Sequence, residues 1–241
     1  MASTNSSRRL QLATHVRASE CDGDVILLDL SCNRYLSITR AASEALAHRV
    51  EGWPKITPTP QSIGLPTTQT DITASLIERG ILTESLYKRS PDGSIEDAAQ
   101  TLELGIGSIR PLLGTRRPWK LLTSVAKAKW WMQCRSMKDI VQALTIRRAQ
   151  QIGTTSNSIE AMAAGTAVYE ALRPLLFTAR EECMLDSLAL VTFLATEGLT
   201  PHWVVGVKTN PFGAHAWVQS GNTVLNDQHE YVRQFRPILV V

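Results

Sequence analysis

Four cysteines, five histidines and twenty-two acids are the groups in this 241-residue chain that can act as nucleophiles, proton carriers or orienters. The cysteines are Cys21, Cys32, Cys134 and Cys183. No two of them stand at the two-residue spacing that zinc sites and dithiol redox motifs use, so neither a metal site nor a redox pair is expected. A different series draws attention in the last sixty residues: Cys183, then His215, then Asp227. A thiolate attacks a carbonyl, an imidazole takes and returns the proton, and a carboxylate holds the imidazole's tautomer and orientation. The chemistry such a set performs is acyl transfer, to water in a peptidase or to an amine in a transferase.

Each of the three falls on a different predicted element. Cys183 opens the apolar run MLDSLALVTFLATEG, which reads as a helix stopping at Gly198. A helix N-terminus lowers a thiol's pKa from its usual ~8.5 through the dipole and the free amides. None of the other three cysteines is so placed. Thr178 with Glu181 fits a capping box that starts the helix a turn earlier. Glu181 and Glu182 oppose thiolate formation, so an imidazolium partner is required. Taken alone, Cys183 reads more readily as a buried free cysteine on an apolar helix. His215 changes the balance. It sits in PFGAHAWV, an alternating strand in which His215, Trp217 and Gln219 share one face, and its small neighbours leave room for a substrate. Ser220-Gly221-Asn222 forms a hairpin turn. Pairing across it sets residues near Ala216 to Val218 opposite Leu225, which brings Asp227 towards His215.

These residues carry a resemblance. Cys183, the Ser187-Leu188-Ala189-Leu190 helix, Gly206-Val207, Phe212, His215-Ala216-Trp217 and Asn226-Asp227 together resemble the leader peptidases of lasso-peptide biosynthesis, members of the transglutaminase-like cysteine protease superfamily. The resemblance covers roughly the last half of the chain. It implies a transglutaminase/papain-like domain of helices packed on an antiparallel sheet. In it Cys183 would be the nucleophile, His215 the general base and acid, and Asp227 the orienting carboxylate.

Composition sets the wider bounds. Apolar residues make up 44% and charged residues 20%, as in an ordinary soluble protein with room for one large or two small cores. The N-terminal MASTNSSRRLQLATHV has no apolar stretch behind its arginines, so it does not read as a secretory signal. No run approaches membrane-span length. Four unpatterned cysteines fit a reducing cytoplasm better than a disulfide framework. The net charge of +3 conceals a partition, with −4 over residues 91–109 and +9 over residues 110–150.

The N-terminal third reads as a three-strand meander followed by helices: Leu12 to Ser19, Val25 to Leu30 and Arg34 to Ile38, with turns at Asp22-Gly23-Asp24 and Ser31-Cys32-Asn33. Thr39 is placed to cap a helix from Arg40 to Val50 whose apolar face would be Ala41, Ala45, Leu46 and Val50. Pro54, Pro58, Pro60 and Pro66 mark a loop with at most a short helix near Gln61 to Gly64. A second helix runs from Asp71 to Arg79 and ends at Gly80. Asp24-Val25-Ile26-Leu27-Leu28-Asp29-Leu30, Tyr35-Leu36-Ser37-Ile38 and the helix after Thr39 resemble the winged-helix-like domain that ribosomal-peptide maturation enzymes share with the chaperone of pyrroloquinoline quinone biosynthesis. The resemblance implies that a precursor's leader segment adds as a strand beside Tyr35, Leu36, Ser37 and Ile38 and lies against Leu76 and Ile77. The plainer reading is that Leu36, Ile38 and Leu76 are core.

The expected organisation is therefore α+β, with a leader-recognition domain over 1–88, an acidic linker over 89–118 carrying a weak helix from Ser94 to Glu103, and a peptidase domain over 119–241. Helices are expected from Lys120 to Trp131, Met137 to Gln150 and Ser158 to Phe177, the last broken at Pro174. The basic segment reads as a solvated helical face. It lacks the interleaved aromatics of a nucleic-acid surface, so no nucleic-acid partner is expected. Gly105-Ile106-Gly107 is not a nucleotide loop, since no strand precedes it and no Gly-Lys-Ser follows. No cofactor is implied. With no ATP site, this chain would only hydrolyse, and closure of the ring would fall to a separate cyclase resembling asparagine synthetase. Two further classes stay open on sequence: an acyl transferase using the same triad, and a non-catalytic winged-helix protein that binds peptide or DNA.

Overall fold

The computed structural model describes residues 9–56, 69–87, 93–103, 116–151, 158–176 and 183–241. The chain divides into two compact units, residues 1–92 and 93–241. Among the described residues no helix is long and apolar enough to cross a membrane.

The first unit holds two three-stranded sheets. Strands β1 (Arg9–Leu12), β2 (Val16–Cys21), β3 (Asp24–Asp29) and β4 (Arg34–Ile38) come first. Helix α1 (Arg40–Ala47), β5 (Val50–Glu51), α2 (Gln69–Glu78) and β6 (Leu82–Ser85) follow. The β2-β3-β4 sheet is the antiparallel meander expected from the turn residues, with Val25 opposite Ile38 and Leu27 opposite Leu36. Asp22, Gly23 and Asn33 all take positive φ in its turns, the backbone region that Gly and Asn tolerate best.

Two boundaries differ from expectation, each through a non-local contact. The single strand from Leu12 to Ser19 is two strands. The chain turns at Ala13, whose amide donates to the Ile81 carbonyl (2.9 Å), and β1 pairs with β5 and β6 in a second sheet. The helix after Thr39 stops at Ala47, and Val50 joins β5 opposite Leu10. Its inward face is Ser43 and Leu46, while Ala41 is exposed. Thr39 stands at the cap position without a side-chain bond; instead Asp24 Oδ1 accepts from the Arg40 amide at 3.0 Å. The short helix near Gln61 to Gly64 falls outside the described residues.

The second unit is built on one five-stranded sheet. Its elements are β7 (Gln100–Thr101), α3 (Arg117–Cys134), α4 (Met137–Gln151), α5 (Ile159–Leu172), α6 (Cys183–Thr196), β8 (His202–Lys208), β9 (Gly213–Ser220), β10 (Thr223–Val224), α7 (His229–Val232) and β11 (Arg236–Val240). Sheet order is β11-β8-β9-β10-β7. The sheet is antiparallel except at β7, which lies parallel to β10. This is the main correction to the expected organisation. No helix forms between Ser94 and Glu103, because the Ala99 and Gln100 amides donate to the Asn222 carbonyl and the Leu102 amide donates to that of Val224. Weak helix propensity loses to a sheet edge offering acceptors and to burial of Ala98 among Val204, Trp217 and Phe235.

Helix α6 is the centre of the unit. Every residue from Leu185 to Ala195 is buried, as befits a helix apolar all round. It packs between the sheet, α3 and α5, and Trp203 of β8 donates through its indole N–H to the Ser187 hydroxyl (2.9 Å). Full burial of each Leu or Phe along it contributes roughly 1.5–3 kcal/mol. Gly198, at φ +81°, ends the helix in the left-handed turn that glycine adopts without penalty. On α3, Trp131 is core whereas Trp130 is half exposed, with the Arg135 guanidinium over its ring.

Candidate active site

Cys183 is the first residue of α6, and it meets β9 on the edge that lacks a partner strand, β8 lying along the other. β10 pairs with β9 only at Gln219 and Ser220, so the earlier part of β9 keeps a free edge. Side chains cover that edge instead. Asn226 Oδ1 accepts from the Val218 amide (2.8 Å), and the Ala216 amide donates to the Cys183 sulfur. The hairpin turn at Gly221 returns the chain antiparallel, the Leu225 amide bonds the Val218 carbonyl, and the next two residues diverge from the sheet. That divergence delivers Asp227 to His215.

His215 Nε2 lies 2.7 Å from Asp227 Oδ2. The other carboxylate oxygen accepts from the Gln228 amide at 2.7 Å. With Nε2 committed to Asp227, Nδ1 is the ring nitrogen left for the thiol, and Cys183 and His215 are hydrogen-bonded to each other. The imidazole is held on its faces as well: its ring centroid is 6.1 Å from Trp217, 5.0 Å from Tyr231 and 5.3 Å from Phe235. The glycine opposite it, Gly206, has to be glycine. A Cβ there would come within 2.8 Å of the Trp217 ring and 2.9 Å of Phe235 Cβ.

The electrostatics agree with this geometry. The hydrogen bond to His215 lowers the Cys183 thiol pKa; burial opposes this and the Ala216 amide assists it. Burial works against charge on His215, but Asp227 and Cys183 outweigh it and push the imidazole up to about 9. Burial likewise opposes the Asp227 charge, and the bond from His215 overcomes it, so that carboxyl lies below its ordinary range. Each group stabilises the charged form of its neighbour, the pattern of a thiolate–imidazolium pair with an orienting carboxylate.

Cys183, His215 and Asp227 line an open cleft of about 810 Å³ with Thr101, Glu170, Arg173, Asp186, Asn226 and Tyr231 among its other walls. Asp186, one turn into α6, is buried and fully engaged. Its Oδ1 accepts from the Tyr169 hydroxyl (2.8 Å) and Arg173 Nε (2.7 Å), and its Oδ2 from Asn226 Nδ2 (3.3 Å). Glu170 lies 3.6 Å from Arg173; burial pushes its pKa up, as does the Asp186 charge, while Arg173 pulls it down. Sequence reasoning passed over Asp186, Arg173 and Thr101. An aspartate inside an otherwise apolar helix is a legible signal of a buried polar network. Thr101 carries no local signal at all.

The residues expected to hold a leader are divided. Ile38 and Leu76 belong to the core of the first unit, and Leu36 packs against it. Ser37 and Ile77 are exposed and Tyr35 is half-buried. β4 is the terminal strand of its sheet, so a backbone edge exists there although three of the six side chains, Leu36, Ile38 and Leu76, pack into or against the core.

Residues 122–240, just under half of the chain, match the family model of the transglutaminase-like superfamily. A stretch of 48 residues is 40% identical to the microcin J25-processing protein McjB of Escherichia coli. That match covers 20% of this chain and 23% of the relative, so it spans less than a quarter of the relative's length. No solved structure matches the chain.

Proposed function

We propose that the chain is a thiol peptidase that removes the leader segment of a ribosomally made precursor peptide during lasso-peptide maturation. The observation that carries this is the Cys183–His215–Asp227 constellation: an Nε2–Oδ2 distance of 2.7 Å, a depressed thiol and a raised imidazole, all opening on a cleft. The transglutaminase-like match and the similarity to a microcin-processing protein support the substrate class.

The Cys183 thiolate attacks the scissile carbonyl, and a tetrahedral oxyanion forms at the mouth of α6, whose first-turn amides lack helical acceptors. His215, protonated, gives its Nδ1 proton to the leaving amine as the C–N bond breaks, leaving a thioester on Cys183. Water then attacks the thioester, His215 takes its proton, and the thiolate leaves. Asp227 holds the imidazole in orientation throughout and stabilises its cationic form. The first unit, a winged-helix-like recognition domain, grips the leader along β4. The freed core amine is the product that a separate cyclase resembling asparagine synthetase joins to a side-chain carboxylate. Four free thiols support work in a reducing cytoplasm.

The superfamily match also favours a second reading, in which an amine replaces water in the last step. Incubation with a precursor peptide and an added primary amine separates the two. Fragments that together weigh the precursor plus one water support the peptidase; a product carrying the amine's mass supports the transferase. Intact precursor after prolonged incubation with folded protein overturns both.

A further inference from the structure

We infer that Thr101 is a positioning residue for the cleft, acting through α7 on the segment that carries Asp227 and Tyr231. The inference rests on the Cys183–His215–Asp227 reading above and adds to it a residue far away in sequence, on the first piece of chain after the N-terminal unit.

The four-residue helix α7 begins at His229, and Gln228 at its cap position makes no side-chain bond. The first amides of a helix have no partner within it. Thr101 supplies one across the sheet: its hydroxyl oxygen accepts from the His229 amide at 2.9 Å. The same hydroxyl lies 3.0 Å from His229 Nδ1 and donates to it when that nitrogen is unprotonated. Thr101 is itself well anchored. It pairs in parallel register with Val224, the Leu102 amide bonds the Val224 carbonyl, and Gln219 Nε2 donates to the Glu96 carbonyl at 2.7 Å. A residue pinned to the sheet therefore holds the first turn of α7. Immediately before that turn are Gln228, whose amide bonds Asp227 Oδ1, and Asp227 itself. Within the turn is Tyr231, whose ring meets His215 edge-on at 5.0 Å. Both contacts that orient the imidazole from this side thus lie within two residues of the amide this hydroxyl holds, with buried Val232 anchoring the far side of the turn.

The test is the pH dependence of Cys183 alkylation by iodoacetamide, read by mass spectrometry of the full-length protein and needing no peptide substrate. Thr101→Val keeps the shape and removes the hydroxyl. It is expected to react roughly tenfold more slowly near pH 6, as the thiolate fraction falls with a poorly oriented imidazolium beside it. Thr101→Ser should restore most of the wild-type profile. His229→Pro removes the amide donor from the other side. The first helical position tolerates proline, and Gln228, at φ −86° and ψ 131°, already has the extended conformation that proline requires of its predecessor. This variant should reproduce the Thr101→Val profile, and it decides the matter should Thr101→Val fail to fold. Wild-type alkylation profiles in the folded variants overturn the inference. A shifted profile in a protein that cleaves no precursor leaves the positioning role standing and rejects the peptidase reading.

Discussion

Among the strand edges without a partner strand in the described residues, one in each unit stands out, and the two are handled in opposite ways. In the C-terminal unit the open stretch of β9 is closed by side chains: Asn226 takes the Val218 amide and Cys183 the Ala216 amide. In the N-terminal unit β4 ends its sheet with Ser37 exposed and Tyr35 and Leu36 half-buried beside it. An unpaired edge is a template for another chain. A thiol and an amide cover that stretch of β9, which the proposed function makes the reaction site, whereas the same proposal makes β4 the edge that receives the leader. On the proposed function, one sheet geometry would serve chemistry at the first edge and recognition at the second.

The comparison breaks first at its chemical end. Asp227→Asn keeps the shape but cannot stabilise an imidazolium as a carboxylate does, and the same change in a serine-protease triad costs about 10⁴ in turnover. A comparable loss is expected in precursor cleavage, with peptide affinity retained. Turnover within threefold of wild type would move the orienting role to another carboxylate.

The pH profile comes next. The thiolate–imidazolium pair persists from the lowered pKa of Cys183 up to the raised pKa of His215, about 9. Cleavage should therefore hold through neutral pH and fall about tenfold per pH unit beyond the upper limb, as the imidazolium loses the proton the leaving amine needs. In stability the same shift from 6.5 acts as a gain fully present below pH 6.5 and lost as pH rises through about 9. An upper limb near pH 7 would show that Asp227 and Cys183 do not sustain the cation.

At the recognition end the expected effect is smaller and confined to binding. Ser37→Pro removes a main-chain donor from β4 and obstructs an added strand. Titration of labelled leader peptide should show affinity falling about tenfold, as expected when one or two augmenting bonds are lost, while cleavage at saturating peptide changes little. Equal loss in both would place leader capture elsewhere. Gly206→Ala is the mildest probe: overpacking against Trp217 and Phe235 should cost about 1–3 kcal/mol of stability by thermal unfolding.

What the sequence revealed follows the same division. The convergence of Cys183, His215 and Asp227 was legible because their residue types are scarce in combination and their turn, Ser220-Gly221-Asn222, imposes a register that can be worked out locally. The helices from Arg117 to Gln151 and from Ile159 to Leu172 were legible from periodicity, with ends displaced by only a few residues. Gln100–Thr101 was not. Its acidic, polar surroundings favour a weak helix, and what makes it a strand is a set of acceptors at Asn222 and Val224 more than a hundred residues away. Val50 was drawn into a helix for the same reason, since its partner Leu10 lies forty residues back. Short strands held by distant partners leave little trace in local pattern.

The most direct measurement is the intact mass of a precursor peptide incubated with the wild-type protein and, in parallel, with Cys183→Ala. The account predicts that the wild type splits the precursor into leader and core with the gain of one water, and that Cys183→Ala binds the precursor within a fewfold of wild type but leaves its mass unchanged. Cleavage by the Cys183→Ala protein at the wild-type rate would contradict it.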